Sequence, residues 1–143
     1  MYLDSAYIAK FYVNEADSTA VRKEIQAAET LVSSEWAIAE VTCVVHRHFR
    51  EKSLRAAHVA EILDAFEEHI RTGVWGLIAV TPSRLRRVAA LVRTAPRDLF
   101  LRAGGAIHLI TALESGEREI WTSDRHLLAA AAHFGLEGRR AGE

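Results

Sequence analysis

The sequence predicts a three-layer α/β/α sandwich with a mostly parallel central sheet. Three observations carry that reading. Short apolar runs alternate with longer stretches of helical periodicity, the order expected of a parallel sheet covered by helices on both faces. Two of the apolar runs lead into an acid: Met1-Tyr2-Leu3 runs into Asp4, and Glu119-Ile120-Trp121-Thr122 precedes Asp124. Ligands of open α/β sheets bind just beyond the carboxyl ends of strands, so acids there occupy a strong position. Finally, Thr81-Pro82 is a clean helix start directly after the apolar run Val74–Val80, with Thr81 as cap and Pro82 in the first turn.

The elements follow in order. Met1–Asp4 reads as a strand and Ser5 to about Tyr12 as a helix. A turn near Asn14-Glu15-Ala16-Asp17 leads to a helix ending at about Glu29, capped by Asp17 or Ser18. Thr30–Ser33 is a short strand, and Ser34 caps a helix through Arg50. Leu54, Val59, Ile62, Leu63, Phe66 and Ile70 recur at helical spacing, so Leu54–Ile70 is a helix ended by Gly73. Val74–Val80 is a strand. Leu85, Val88 and Val92 mark the buried face of the helix that Thr81 opens, and Pro96 stops it. A helix from about Leu99 to Glu114 follows, with Asp98 as its cap and Gly116 as its stop. Ile120–Thr122 is a strand, Ser123 or Asp124 opens a helix to about Phe134, and Leu136–Gly138 starts an edge strand. Residues 1–138 form one domain, and 139–143 are a short mobile tail.

Composition narrows the class. The chain has 143 residues, enough for one domain with a real core. A formal net charge of −1 gives no global pull toward nucleic acid, so any RNA contact is local. The single cysteine, Cys43, forms no internal disulfide and reads as a small buried hydrophobe in a reducing compartment. No apolar run is long enough to span a membrane, and Asp4 interrupts the place of a signal peptide; the expectation is a cytoplasmic protein.

Three carboxylates stand out. Asp4 and Asp124 both have a plain reading as helix caps, but both fall at strand-to-helix junctions on one edge of the sheet. Glu40 lies in a mostly apolar helix among Trp36, Ile38, Val41, Cys43 and Val44, where an unpaired charge is costly. It requires a partner, a cation or an Arg. Carboxylate oxygens with open positions suit a hard cation such as magnesium. Zinc is disfavoured, because neither paired cysteines nor a suitable His-x-x-x-His set occurs. His46 and His48 point to different sides of their helix, and His108 reads as a hydrogen-bonded core histidine. No phosphate-binding glycine loop and no nucleophile elbow is present, so Ser5, Ser34 and Ser123 read as caps or supporting donors.

Four blocks resemble the PIN-domain ribonuclease toxins of the VapC type: Met1-Tyr2-Leu3-Asp4-Ser5-Ala6; Ser33 to Val41 around Glu40; Leu101-Arg102-Ala103-Gly104-Gly105-Ala106-Ile107-His108-Leu109-Ile110-Thr111-Ala112; and Trp121-Thr122-Ser123-Asp124-Arg125-His126-Leu127-Leu128-Ala129-Ala130-Ala131. They lie in the family's order and cover nearly the whole chain. The resemblance implies a PIN-like fold and a magnesium-dependent endoribonuclease toxin, with Mn2+ as a possible substitute. Asp4, Glu40 and Asp124 would be the catalytic and metal-binding acids, and Ser5 and Thr122 supporting donors. It also implies an RNA substrate, a VapB-like antitoxin and a homodimer. Arg102, Arg125, Lys10 and Arg47 are candidates for RNA backbone contacts.

The chain departs from the family at Gly105, where the pattern has a third Asp. Two consecutive glycines disfavour helix by about 1 kcal/mol each relative to Ala, and nothing in the helix asks for Gly105. Asp98 lies two turns earlier, about 10 Å along the axis, too far to stand in. The expectation is therefore a nuclease impaired by the lost acid. The alternative is a catalytically dead PIN-like module that binds RNA or an antitoxin. A different α/β phosphohydrolase is disfavoured because no Asp-x-Asp follows the first strand.

Overall fold

In the computed structural model, which describes residues 1–143, five strands alternate with seven helices. β1 (Tyr2–Leu3) leads to α1 (Ser5–Tyr12) and α2 (Ser18–Ala27). β2 (Val32–Ser34) leads to α3 (Trp36–Arg50) and α4 (Ala56–Arg71). β3 (Gly76–Ile78) precedes α5 (Pro82–Thr94) and α6 (Ala103–Glu114). β4 (Glu119–Trp121), α7 (Arg125–His133) and β5 (Glu137–Arg139) complete the order. All strands join one sheet, β3-β2-β1-β4-β5, and every neighbouring pair is parallel.

β1 is the centre of the fold. It has a neighbour on each edge and a helical layer on each face, so both residues must be apolar. They point to opposite faces. Leu3 packs with Tyr7, Ile8, Val21, Val41, Phe66 and Trp75 under α1–α4. Tyr2 packs with Leu109, Ile120, Leu127, Ala130 and Leu136 under α6 and α7. Two cores on two faces make the three layers that the sequence predicts. No helix is long and apolar enough to cross a membrane.

Several local expectations are corrected. β1, β2 and β3 are shorter than the spans expected for them, and β4 is displaced by one residue, to Glu119–Trp121. Asp17 makes no cap hydrogen bond to α2; its carboxylate is taken by Lys10 and Ser123. α6 starts at Ala103 rather than Leu99, since Arg102 is held extended at its N-cap, so Asp98 caps nothing. α5 buries no residue fully: Val88 and Leu91 are half-buried, while Leu85 and Val92 are exposed. Cys43 is exposed. α3 offers the core only Ala37, Val41 and Val45, a stripe four residues apart, and Cys43 lies on the opposite side of the helix from it. The segment expected to be a mobile tail begins inside β5 with Arg139, and the Ala141 N–H donates to Tyr7 Oη at 2.9 Å.

Candidate functional site

The sheet reverses its winding at β1: β2 lies on one side and β4 on the other. A crevice opens there, beyond the carboxyl ends of the strands. It is a cleft of about 690 Å³ whose lining includes Asp4, Ser5, Glu40, Gly104, Gly105, His108 and Asp124. Each arrives by a separate local rule. Asp4 ends β1 in an extended conformation and caps α1, accepting the Tyr7 N–H at 2.9 Å. Asp124 follows β4 and caps α7, accepting the His126 N–H at 2.8 Å. Glu40 enters from α3, where Glu40, Cys43, Val44 and Arg47 line the cleft at helical spacing. Gly104, Gly105 and His108 share one face of the first turns of α6.

Asp4 is almost wholly buried, at 6% exposure. Burial pushes its carboxyl above the usual carboxylate range, against the Thr122 hydroxyl, His108 and the Tyr7 N–H, which favour the charged form. Thr122 Oγ1 donates to Asp4 Oδ2 at 2.5 Å and accepts the Asp124 N–H at 2.9 Å. One buried hydroxyl thus ties the two junction acids together.

Glu40 has found its partners in a serine and a histidine rather than an Arg. Ser5 Oγ donates to Glu40 Oε2 at 2.6 Å, and His108 Nε2 stands 3.1 Å from the same oxygen. His108 Nε2 is also 2.8 Å from Ser5 Oγ, and His108 Nδ1 is 3.0 Å from Tyr2 Oη. Burial alone would raise the Glu40 carboxyl. The hydrogen bonds of His108 and Ser5, the pull of His108 and the Trp36 indole outweigh it and hold the group below its usual range. Tyr2, raised by burial, stays a neutral phenol beneath the imidazole.

As arranged, these acids do not fit a divalent ion. No three His, Cys, Asp or Glu side chains form a group able to hold a metal. Asp4 is engaged by Thr122 and Tyr7, and Glu40 by Ser5 and His108. Gly105 lines the cleft with open space above it: a Cβ built there would meet only Leu127 Cδ1, at 3.9 Å. Of the four basic residues singled out from sequence, Arg47 and Arg102 line the cleft. Arg125 is exposed outside it. Lys10 is buried, with Nζ 2.6 Å from Asp17 Oδ2 and 2.9 Å from Ser123 Oγ, so it cannot reach RNA.

The PIN domain family model matches residues 1–133, taking in every strand but β5 and every residue of the cleft. The chain belongs to the PIN domain family. Among solved structures, this PIN domain is similar to the Mycobacterium tuberculosis toxin VapC20, described as cleaving the sarcin–ricin loop. The TM-score is 0.70 at 14% identity, over 90% of this chain and 93% of that one, a likeness of fold. No curated protein matches the chain significantly.

Two contributors to the site were missed in the sequence. His108 was read only as core, although it lies one turn beyond Gly105 on the same helical face. Gly104 was passed over beside its neighbour, although a helix that tolerates two glycines has two positions to explain.

Proposed function

We propose that this PIN domain is an endoribonuclease toxin of a toxin–antitoxin pair, impaired by Gly105. The observation that carries the reading is the meeting of Asp4, Glu40, Asp124 and Gly105 at one cleft of a PIN domain. Asp4, Glu40 and Asp124 are the acids of the site, with Ser5 and Thr122 positioning Glu40 and Asp4. A fourth acid at residue 105 would add the oxygen donor that a hard cation needs. Magnesium, with manganese as substitute, is the ion such a restored site would take. Arg47 and Arg102 would meet the RNA backbone. The partner is a VapB-like antitoxin, and the protein works in the cytoplasm as a homodimer; exposed Trp36, Ile38 and Phe49 on α3 leave apolar surface for such contacts.

A catalytically dead module that binds RNA or an antitoxin is the second reading. It is favoured by the engagement of Asp4 and Glu40 within the protein and by two arginines in the same cleft. RNA cleavage by the chain, by Gly105→Asp and by Gly105→Asp with Asp4→Ala separates the two, with a chelated control. Gly105→Asp is expected to raise magnesium-dependent cleavage on the order of 10²–10³-fold, the scale for restoring one electrostatic group, and Asp4→Ala to abolish it. Equal rates for the chain and Gly105→Asp would overturn Gly105 as the lesion. RNA binding without cleavage in every variant would favour the second reading.

A further inference from the structure

The two glycines that open α6 do different things. A Cβ on Gly105 would make only an ordinary contact with Leu127 Cδ1, at 3.9 Å. A Cβ on Gly104 would collide with Glu40 Oε1 and crowd Trp36 Nε1 at 3.2 Å. The bare face of Gly104 is therefore the seat on which the Glu40 carboxylate rests while its other oxygen is held by Ser5 and His108. Glu40 is the flexible end of that contact. Gly105 lines the cleft shared with Asp4 and Asp124 and crowds nothing there.

We infer that Gly104 is a second determinant of this site: its bare face lets the Glu40 carboxylate settle on His108 and Ser5, so that Glu40 is engaged within the protein rather than free to serve as an oxygen donor. Gly104 is a positioning residue, acting on the cleft only through Glu40. The inference rests on the proposed nuclease reading for its metal consequence, but the seat itself is a property of the metal-free protein. It also accounts for the absence of a metal-holding group although three acids line one cleft. Restoring Asp at 105 alone leaves Glu40 parked. Replacing Gly104 by Ala displaces the carboxylate from this seat.

The test has two readouts. In metal-free protein, the side-chain nitrogen NMR signals of His108 are compared for the chain, Gly104→Ala and Gly105→Ala. Gly104→Ala is expected to shift Nε2, because Glu40 leaves it; Gly105→Ala is expected to leave it in place. An Ala that merely stabilises the helix would raise the thermal midpoint of both variants and shift neither signal. Mn2+ titration, followed by paramagnetic resonance, then compares Gly105→Asp with Gly104→Ala/Gly105→Asp. The double variant is expected to bind at least ~10-fold tighter, the scale set by groups that orient metal ligands. Unmoved His108 signals, or equal or weaker Mn2+ binding by the double variant, would overturn the inference. A moved His108 signal with no Mn2+ binding by either variant would uphold the seat, and would overturn its metal consequence together with the nuclease reading.

Discussion

Thr122→Val isolates the hydrogen bonds that join Asp4 to Asp124. Valine has the shape of threonine, so the fully buried site keeps its packing and loses only the hydroxyl. Two interactions go: the donor to the buried Asp4 carboxylate, and the acceptor of the Asp124 N–H. A hydrogen bond to a charged group contributes about 1.5–3 kcal/mol, and a neutral one about 0.5–1.5 kcal/mol. Asp124 is exposed and water replaces part of its loss, so the total is about 2–4 kcal/mol. Thr122→Ser keeps the hydroxyl and gives up one buried methyl, about 1 kcal/mol. Urea unfolding followed by tryptophan fluorescence measures both; Trp75 is buried and reports the core. Near pH 8, Val is expected to be less stable than Ser by about 1–3 kcal/mol. The gap should narrow as pH falls, because the Asp4 carboxyl, raised by burial and robbed of its donor, takes up a proton and no longer needs one. If Val equals or exceeds Ser in stability near pH 8, the hydroxyl does not hold Asp4 as described.

Three further outcomes concern charge. Asp4 is raised by burial, so the native state takes up its proton more readily than the unfolded state. Its effect on stability is therefore most favourable in acid and is lost as pH rises from the ordinary carboxylate range through the raised value. Asp4→Asn removes that slope, and urea midpoints over a pH series should show the variant gaining on the parent as pH rises; a difference that stays constant with pH contradicts the shift. Glu40, held low, works in the opposite sense, and its contribution is lost as pH falls from the ordinary carboxylate range through the lowered value. Lys10→Met removes the buried amine that ties Asp17 to Ser123. Because Asp17 is about a third exposed, the expected loss is about 1–2 kcal/mol, between surface and buried pairs, seen as a lower thermal midpoint with RNA affinity unchanged.

The frame of the molecule was legible in the sequence because period and punctuation agree there. Tyr2-Leu3 is apolar on both faces and has to be central, and Thr81-Pro82 marks a start that the structure reproduces, with Thr81 accepting the Arg84 N–H at 3.1 Å. The convergence of Asp4, Glu40 and Asp124 was legible for a topological reason: acids at strand ends and one on the following helix share the same end of a parallel sheet. What failed depended on partners far along the chain. Lys10 looks like a surface cation until Asp17 and Ser123 close on it. Leu85 and Val92 have helical spacing, but α5 rests only its Val88–Leu91 side on the domain. Glu40 needs a partner by any reading, yet only the packing of α3 beside α6 reveals that the partner is His108.

The placement of β1 also governs the order in which the site comes into being. The Thr122 hydroxyl that completes Asp4 lies 118 residues further along the chain. On a ribosome, β1 emerges well before β4, so Asp4 waits for its donor while more than a hundred residues are made, and the central strand waits with one edge unpaired. Contacts of such long sequence separation form late and as a group. A nascent or truncated chain that ends before β4 can build the α1–α4 core around Leu3 but has no cleft, because the wall carrying Asp124 does not yet exist. Whatever this cleft does, it begins all at once, when β4 and α7 dock.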